Sequence, residues 1–269
     1  MRIAKYLSIF KISFAQEFAY RLNFIMWRVR NVMQIFLVFF LWDTIFSDPG
    51  RVLFGYDRAK ILTYVFGIMI VKSMVLSARA ADVAGDIYRG DIMNHLLKPM
   101  SYFKFWFTRD ISSKALNLLF AAGEFAILFI ILRPPFFLQT DPLALLGFFL
   151  SIALAIFIYF NLLFMTSSIP FWAPELGWGG HFLITVIIVE FLSGALFPVD
   201  ILPQMVQKIL LFTPFPYLIF FPIQVYLGKI SGTVLLGGLS ISLFWAITLW
   251  LVMNFIWNKG LRAYQASGR

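Results

Sequence analysis

The stretch LALLGFFLSIALAIFIYFNLLFMT, residues 143–166, carries no charged side chain. About 20 apolar residues are enough for a helix to cross the hydrocarbon core of a bilayer. Asp141 and Pro142 precede the stretch, an order typical of an N-cap followed by proline at the first helical position. The 269-residue chain shares this apolar character, since it is 61% hydrophobic and 13% charged. Soluble domains are about a quarter charged, so the sequence predicts an integral membrane protein.

The net charge of +9 and the absence of cysteine bear on which kinds of binding site the chain could have. Lys and Arg residues cluster at the ends of apolar runs, as topology signals do, which argues against a nucleic-acid-binding protein. A chain without cysteine has no disulfide and no thiolate metal site. His95 and His181 are far apart in sequence, so no metal site is predicted. No cleavable signal peptide is expected.

The predicted fold class is an all-α integral membrane protein that forms a single domain over residues 1–269. Residues 1–23 have apolar side chains at helical spacing, which favours an amphipathic helix lying in the membrane interface over a soluble helix. Six transmembrane helices follow. They are predicted near Phe24–Phe46, Ile61–Ala81, Ser113–Leu132, Leu143–Thr166, His181–Phe197 and Gly232–Trp257.

Residues 198–231, before the last span, are apolar but broken by prolines at positions 203, 214, 216 and 222. This pattern predicts a re-entrant helical hairpin rather than one straight span. Basic residues are most frequent at the two termini and in the loop of residues 82–112, so these segments are predicted to be cytoplasmic. The hairpin is then outward-facing.

The segment GDIMNHLLKP, residues 90–99, is a charged island between apolar runs. Asp91 is predicted to cap a helix of about two turns that Pro99 ends. Ile92, Met93, Leu96 and Leu97 would form its apolar face. Such a helix either docks a cytoplasmic partner or lies on lipid headgroups, and the residues alone favour neither.

Three ionisable residues lie in the middle of predicted spans: Lys72, Glu124 and Glu190. Intramembrane charges are functional candidates. They form either an internal ion pair, which is favoured for Lys72 and Glu124, or a polar lining of a substrate path or permease interface, which is favoured for Glu190. A net negative interior would suit a cationic amphiphile. Arg28 and Arg30 are expected to snorkel to the cytoplasmic interface as topology anchors.

The chain lacks the G-x-x-x-x-G-K-[ST] phosphate-binding loop. It is therefore not expected to hydrolyse ATP, and its energy would come from another polypeptide or from an ion gradient. In the second case Lys72, Glu124 and Glu190 could form the proton relay of an ion-coupled secondary transporter or the polar site of an intramembrane enzyme.

Two motifs resemble those of ABC-2 type transporter permeases. The first is GDIMNHLLKPMSYFKFWFTRD, residues 90–110, with a Gly-Asp-x4-Leu-Leu-x-Pro pattern in the cytoplasmic loop. The second is FLSGALFPVDILPQMVQKILLFTPFPYLIFFPIQVYLG, residues 191–228, with Ser-Gly, Phe-Pro and Leu-Pro pairs followed by later prolines. The order of these motifs along nearly the whole chain strengthens the resemblance.

The resemblance implies the membrane subunit of an ATP-driven exporter of a hydrophobic or amphipathic compound (a drug, natural product or lipid-linked molecule). It implies a second permease, identical or related, and a pair of cytoplasmic ATP-binding subunits that hold the ATP and Mg. It implies a multi-pass protein of the cytoplasmic membrane, without an ATPase site or cofactor of its own. The implied residues for coupling to the ATPase are Gly90, Asp91, Ile92, Leu96, Leu97 and Pro99. Those of the outer gate are Ser193, Gly194, Phe197, Pro198, Leu202, Pro203 and Pro214.

Overall fold

The computed structural model describes residues 2–17, 21–48, 50–176 and 187–264. This part of the chain is helical and has no strand beyond one isolated bridge between Leu53 and Tyr56. The predicted all-α class is confirmed. The helices are α1 (Arg2–Glu17), α2 (Arg21–Ile45), α3 (Arg58–Val75), α4 (Asp82–Arg89), α5 (Ile92–Leu96), α6 (Tyr102–Leu132), α7 (Pro142–Thr166), α8 (Val189–Leu192), α9 (Gln204–Leu211), α10 (Phe220–Tyr226) and α11 (Gly232–Ala263).

Within these ranges, three helices are long and apolar enough to cross a membrane: α6, α7 with its extension to Phe171, and α11. They correspond to the third, fourth and sixth predicted spans. The first and second predicted spans correspond to α2 and α3. Much of the fifth, His181–Phe197, lies outside the described residues, and its described part contains only the four-residue α8.

Capping side chains mark the start of some helices, and other helix ends differ from the predicted ones. The Asp141 carboxylate accepts a hydrogen bond from the Leu143 amide at 3.0 Å, so the predicted cap of α7 is confirmed. Asp57 caps α3 in the same way, through the Lys60 amide at 2.7 Å. Helix α3 ends at Val75, earlier than the predicted Ala81, because the chain turns there into the loop that leads to α4. Helix α6 begins at Tyr102 rather than Ser113 and runs unbroken from the loop into the apolar stretch.

Helix α7 forms the centre of the molecule and packs against α3, α10 and α11. Gly147 lets these helices come close, since a Cβ atom there would lie 2.9 Å from the Leu235 side chain. Gly238 on α11 does the same, because a Cβ atom would overlap the ring of Phe221. Close backbone approach through small residues is a common way to pack helices in membranes.

Helix α1 lies along α6. The Ser112 hydroxyl donates to the Phe10 carbonyl at 3.0 Å, and the Arg109 guanidinium donates to the Gln16 side chain at 3.3 Å. Leu7 and Ile12 are exposed on α1, so the helix has an apolar surface that the described residues do not cover. In sequence, α1 includes most of residues 1–23, the predicted interfacial segment.

The proline-rich region before α11 forms short helices, as its sequence favours. It contains a 3-10 turn at Val199–Ile201, α9, a second 3-10 turn at Phe215–Tyr217, and α10. Its first and last parts are buried, whereas one side of α9 is exposed.

Candidate functional site: two polar junctions and an embedded ion-pair cluster

The predicted coupling helix is shorter than its sequence suggested. Helix α5 has five residues, and Leu96 is the last of them. The prediction that Asp91 caps it is wrong. Asp91 has helical backbone angles, and its carboxylate accepts from Arg89 Nε at 3.0 Å, so it is not available to the helix amides. Gly90 joins α4 to α5 with φ +82°, a left-handed conformation that favours glycine.

The predicted apolar face of this helix is divided between two sides. Ile92 is fully buried in the core, whereas Met93 is exposed and Leu97 is 83% exposed. Lys98 and Pro99 are exposed as well. The loop therefore has an anchor at Ile92 and a projecting tip at Leu97–Pro99.

A buried polar contact holds the loop against the start of α6. The Tyr102 hydroxyl donates to the Asp86 carboxylate at 2.8 Å, and His95 Nε2 lies 3.9 Å from the same carboxylate. The Tyr102 ring stacks on Trp257 of α11, with ring centroids 5.0 Å apart. Burial raises the pKa of Asp86 above its usual value and lowers that of His95.

A second contact fastens the other end of the loop. Lys114 of α6 donates to the carbonyls of Val75 at 3.0 Å and Ser77 at 2.7 Å, which lie at and just after the end of α3. Its Nζ is also 3.1 Å from Asp110, whose carboxylate accepts from the Arg79 amide at 2.8 Å. Both side chains are buried. We call this group the Lys114 junction. Sequence reasoning missed it, because the carbonyls that Lys114 binds are 39 and 37 positions away in the chain.

The ionisable residues of the predicted spans pair differently from expectation. Glu124 on α6 accepts two hydrogen bonds from the Arg28 guanidinium of α2, and Lys72 on α3 donates to Glu190 on α8 at 2.7 Å. The favoured pairing of Lys72 with Glu124 is therefore wrong. Arg28 is 8% exposed and buried beside α6, so it is not the snorkelling anchor that was expected.

Two further side chains join Lys72 and Glu190. Arg30 Nη2 lies 3.9 Å from Glu190, and Lys72 donates to the Gln34 side chain at 3.2 Å. We call these four residues, Arg30, Gln34, Lys72 and Glu190, the Glu190 cluster. It contains two basic side chains and one carboxylate. The expected net negative interior came from omitting the arginines of α2.

The predicted outer-gate residues begin at a tightly packed turn. Gly194 has φ +84°, and a Cβ atom there would lie 2.7 Å from the Tyr64 hydroxyl. That hydroxyl donates to the Gly194 carbonyl at 2.7 Å, and the Ser193 carbonyl accepts from the Phe220 amide at 2.9 Å. Ser193 and Gly194 thus join α3 to α10. The other predicted gate residues differ in burial: Pro198 and Pro214 are buried, Phe197 and Leu202 are half-buried, and Pro203 is exposed.

Asp200, between Pro198 and Leu202, is the centre of a polar group that sequence reasoning missed. Its carboxylate accepts from the Tyr56 hydroxyl at 3.0 Å, from Gln224 at 3.3 Å and from Lys229 at 2.7 Å. Lys229 also donates to the Phe54 carbonyl at 3.0 Å. We call this group the Asp200 junction. It joins the turn before α3, the region before α9, α10 and the segment leading into α11.

Within the described ranges, no group of three or more His, Cys, Asp or Glu side chains could hold a metal ion. The described polar groups instead connect helices that are distant in sequence.

Of two comparisons with known proteins, one gives a match. A family model described as "ABC-2 family transporter protein" matches residues 32–268. A search among curated proteins finds no match to the chain.

Proposed function

Because the chain belongs to the ABC-2 transporter family, we propose that it is the permease subunit of an ATP-driven exporter that moves a hydrophobic or amphipathic compound. The chain is a multi-pass membrane protein and a transport subunit rather than an enzyme. ATP and Mg would bind to separate cytoplasmic subunits. A second permease, identical or related, would complete the pathway.

The observation that carries this proposal is the form of the loop between α3 and α6. Its tip at Leu97–Pro99 is exposed, while Ile92 is buried and the Asp86–Tyr102 hydrogen bond holds the base. The Lys114 junction ties the end of α3 to α6. A force on the tip would therefore reach both helices instead of bending the loop. A lipid-bound loop would need no such fastening.

On this proposal, closure of the ATPase dimer pushes on the Leu97–Pro99 tip and moves α3 and α6 as a unit. Tyr64 at the far half of α3 donates to the Gly194 carbonyl, and Tyr56 just before α3 contacts Asp200. The movement would thus reach the Asp200 junction and the predicted outer gate at residues 193–203. Alternating access would follow from opening this gate when the cytoplasmic side closes.

The finer topology belongs to the same proposal. Six spans, with α2, α3 and a helix that includes α8 among them, would give both termini and residues 82–112 a cytoplasmic location. Residues 198–231 would enter the outer side of the cytoplasmic membrane as a re-entrant hairpin. The buried prolines and the paired backbone of this region support that placement.

An ion-coupled mechanism is the alternative. It would use Lys72, Glu124 and Glu190 as a relay. Glu124 is paired with Arg28, whereas Lys72 is paired with Glu190. This division into two ion pairs favours the ATP-driven proposal.

The test is mild extraction of the tagged chain, followed by identification of the co-purifying proteins. We expect an ATP-binding subunit with the wild type and its loss with Leu97→Asp. The matched control is Leu138→Asp, another exposed leucine, in the loop between α6 and α7, which should retain the subunit. Absence of any ATPase from the wild-type complex would contradict the proposed function. Retention by Leu97→Asp would contradict the assignment of the tip.

A further inference from the structure

The loop of residues 82–112 is also fastened to the last long helix, α11, by an aromatic stack. The Tyr102 ring lies nearly parallel to the ring of Trp257, with an angle of 13° between the rings and their centroids 5.0 Å apart. The hydroxyl group of the same tyrosine donates to the Asp86 carboxylate of α4 at 2.8 Å. Tyr102 therefore connects α4 to α11 through its hydroxyl group and its ring.

Trp257 is at the centre of a larger group of rings. Its ring centroid lies 5.0 Å from that of Phe164, near the end of α7, and 5.3 Å from that of Phe171. Phe171 belongs to the 3-10 turn that follows α7, and it also contacts Tyr264, just beyond the end of α11, with ring centroids 5.8 Å apart. We call these five residues, Tyr102, Phe164, Phe171, Trp257 and Tyr264, the Trp257 cluster. It brings together the start of α6, the end of α7 and the end of α11.

The packing at this end of α11 is close. Gly260 is buried one turn after Trp257, and a Cβ atom there would overlap the Phe171 ring. Phe171 itself is buried, and α4 packs against the 3-10 turn that contains it. Densely packed side chains transmit a displacement instead of absorbing it. A movement of α4 or of Tyr102 would therefore be passed to α11.

Further along, α11 contacts the region of residues 198–231. Gly238 lies so close to Phe221 of α10 that a Cβ atom there would overlap the ring. Helix α11 has 32 residues, which at 1.5 Å per residue span about 48 Å. The helix thus reaches from the loop of residues 82–112 to α10, and it forms a second connection beside α3.

We propose that Trp257 is a positioning residue, which passes movement of the loop through the Trp257 cluster to α11 and so to α10. A displacement of the Leu97–Pro99 tip would push the Tyr102 ring against Trp257 and shift α11 along with α3 and α6. This inference rests on the proposed function and adds a route along α11. The proposed function needs only the route along α3, so the two can fail separately.

The absence of cysteine from the chain allows the movement of α11 to be followed at one position. Leu236→Cys, at an exposed site near Gly238, carries an environment-sensitive fluorophore. The tagged full chain is purified with its ATP-binding subunits and placed in lipid nanodiscs, where ATP with vanadate traps the closed ATPase dimer. We expect trapping to shift the emission of the fluorophore in the otherwise wild-type chain.

A matched pair of variants at position 257 tests the stack. Trp257→Phe keeps an aromatic ring against Tyr102 and should retain most of the emission shift. Trp257→Leu keeps an apolar side chain without the ring, and it should lose most of the shift while it retains the ATPase subunits and ATP hydrolysis. Trp250→Leu, at an exposed tryptophan of the same helix, should leave the shift unchanged. A purely structural role of Trp257 would not separate hydrolysis from the shift in this way.

Three results would overturn the inference. An unchanged shift in Trp257→Leu would show that the ring does not pass the movement on. The absence of a shift in the otherwise wild-type chain would show that α11 does not move, and loss of the ATPase subunits from Trp257→Leu would make the stack part of their docking site. Each of these results, with an ATPase bound to the wild type, would leave the proposed function intact. Absence of any ATPase from the wild-type complex would instead contradict the proposed function, and the inference with it.

Discussion

At the scale of single residues, Lys114 shows how one buried side chain can hold two helices together. Its ammonium group satisfies two carbonyls at the end of α3 and balances the buried Asp110 carboxylate. We expect Lys114→Met to destabilise the chain by about 3–5 kcal/mol, because it leaves a buried charge uncompensated. Thermal unfolding in detergent checks this, with Lys104→Met, an exposed lysine of the same helix, as the control. Similar stability of the two variants would show that the junction contributes little.

We expect His95 to make the stability of the loop of residues 82–112 depend on pH. Burial holds the pKa of His95 below 6.5, so the folded loop takes up its proton less readily than the unfolded chain. The stability that neutral His95 provides is therefore present above pH 6.5 and is lost as the pH falls toward the lowered pKa. We expect the wild type to lose more thermal stability than His95→Gln between pH 7.5 and 5.5. Equal losses would contradict this assignment.

Residue-level prediction succeeded where the signal was local. Asp141 and Pro142 specify the start of α7 through contacts within four residues. Asp91, like Asp141, is an aspartate that directly precedes a helix, but its carboxylate is bound by Arg89, two residues earlier. The ion pairs could not be assigned, because Arg28 and Glu124 are 96 positions apart and come together only in the folded chain.

At the scale of elements, two neighbouring glycines of α11 provide a direct comparison. A Cβ atom at Gly238 would overlap the Phe221 ring of α10, whereas one at Gly237 would meet nothing within 4 Å. We expect Gly238→Ala to destabilise the chain by about 1–3 kcal/mol through overpacking. Gly237→Ala should be neutral or stabilising by up to about 1 kcal/mol, the gain in helix propensity. Their thermal stabilities measure the difference, and equal effects would mean that α10 and α11 are not tightly packed here.

Element prediction was accurate for the long apolar helices and less so at their ends. Helices α6, α7 and α11 follow from composition alone, because their apolar runs exceed the length needed to cross a bilayer. The early end of α3 depends on Lys114 from another helix, so the sequence around Val75 does not reveal it. The Asp200 junction was missed for a similar reason, since Tyr56, Gln224 and Lys229 come from three separate segments.

At the scale of the whole molecule, the two junctions would lie at opposite ends. The Lys114 junction borders residues 82–112, and the Asp200 junction borders the region before α9. The connection between them runs along α3: Tyr56, just before its start, contacts Asp200, and Ser77, just after its end, accepts from Lys114. The family match fixes the kind of protein, and this long-range connection indicates how a permease of this kind could couple its two sides.

The opposite placement of the two ends can be tested with two exposed lysines. Lys98→Cys at the loop tip and Lys208→Cys on α9 each introduce a single cysteine into a chain that has none. A membrane-impermeant thiol reagent should label Lys208→Cys on intact cells and Lys98→Cys only in inside-out vesicles. The cysteine-free chain controls for background in both. Labelling of both positions from the same side would contradict the proposed topology, and a force on the loop tip could then not open a gate across the membrane.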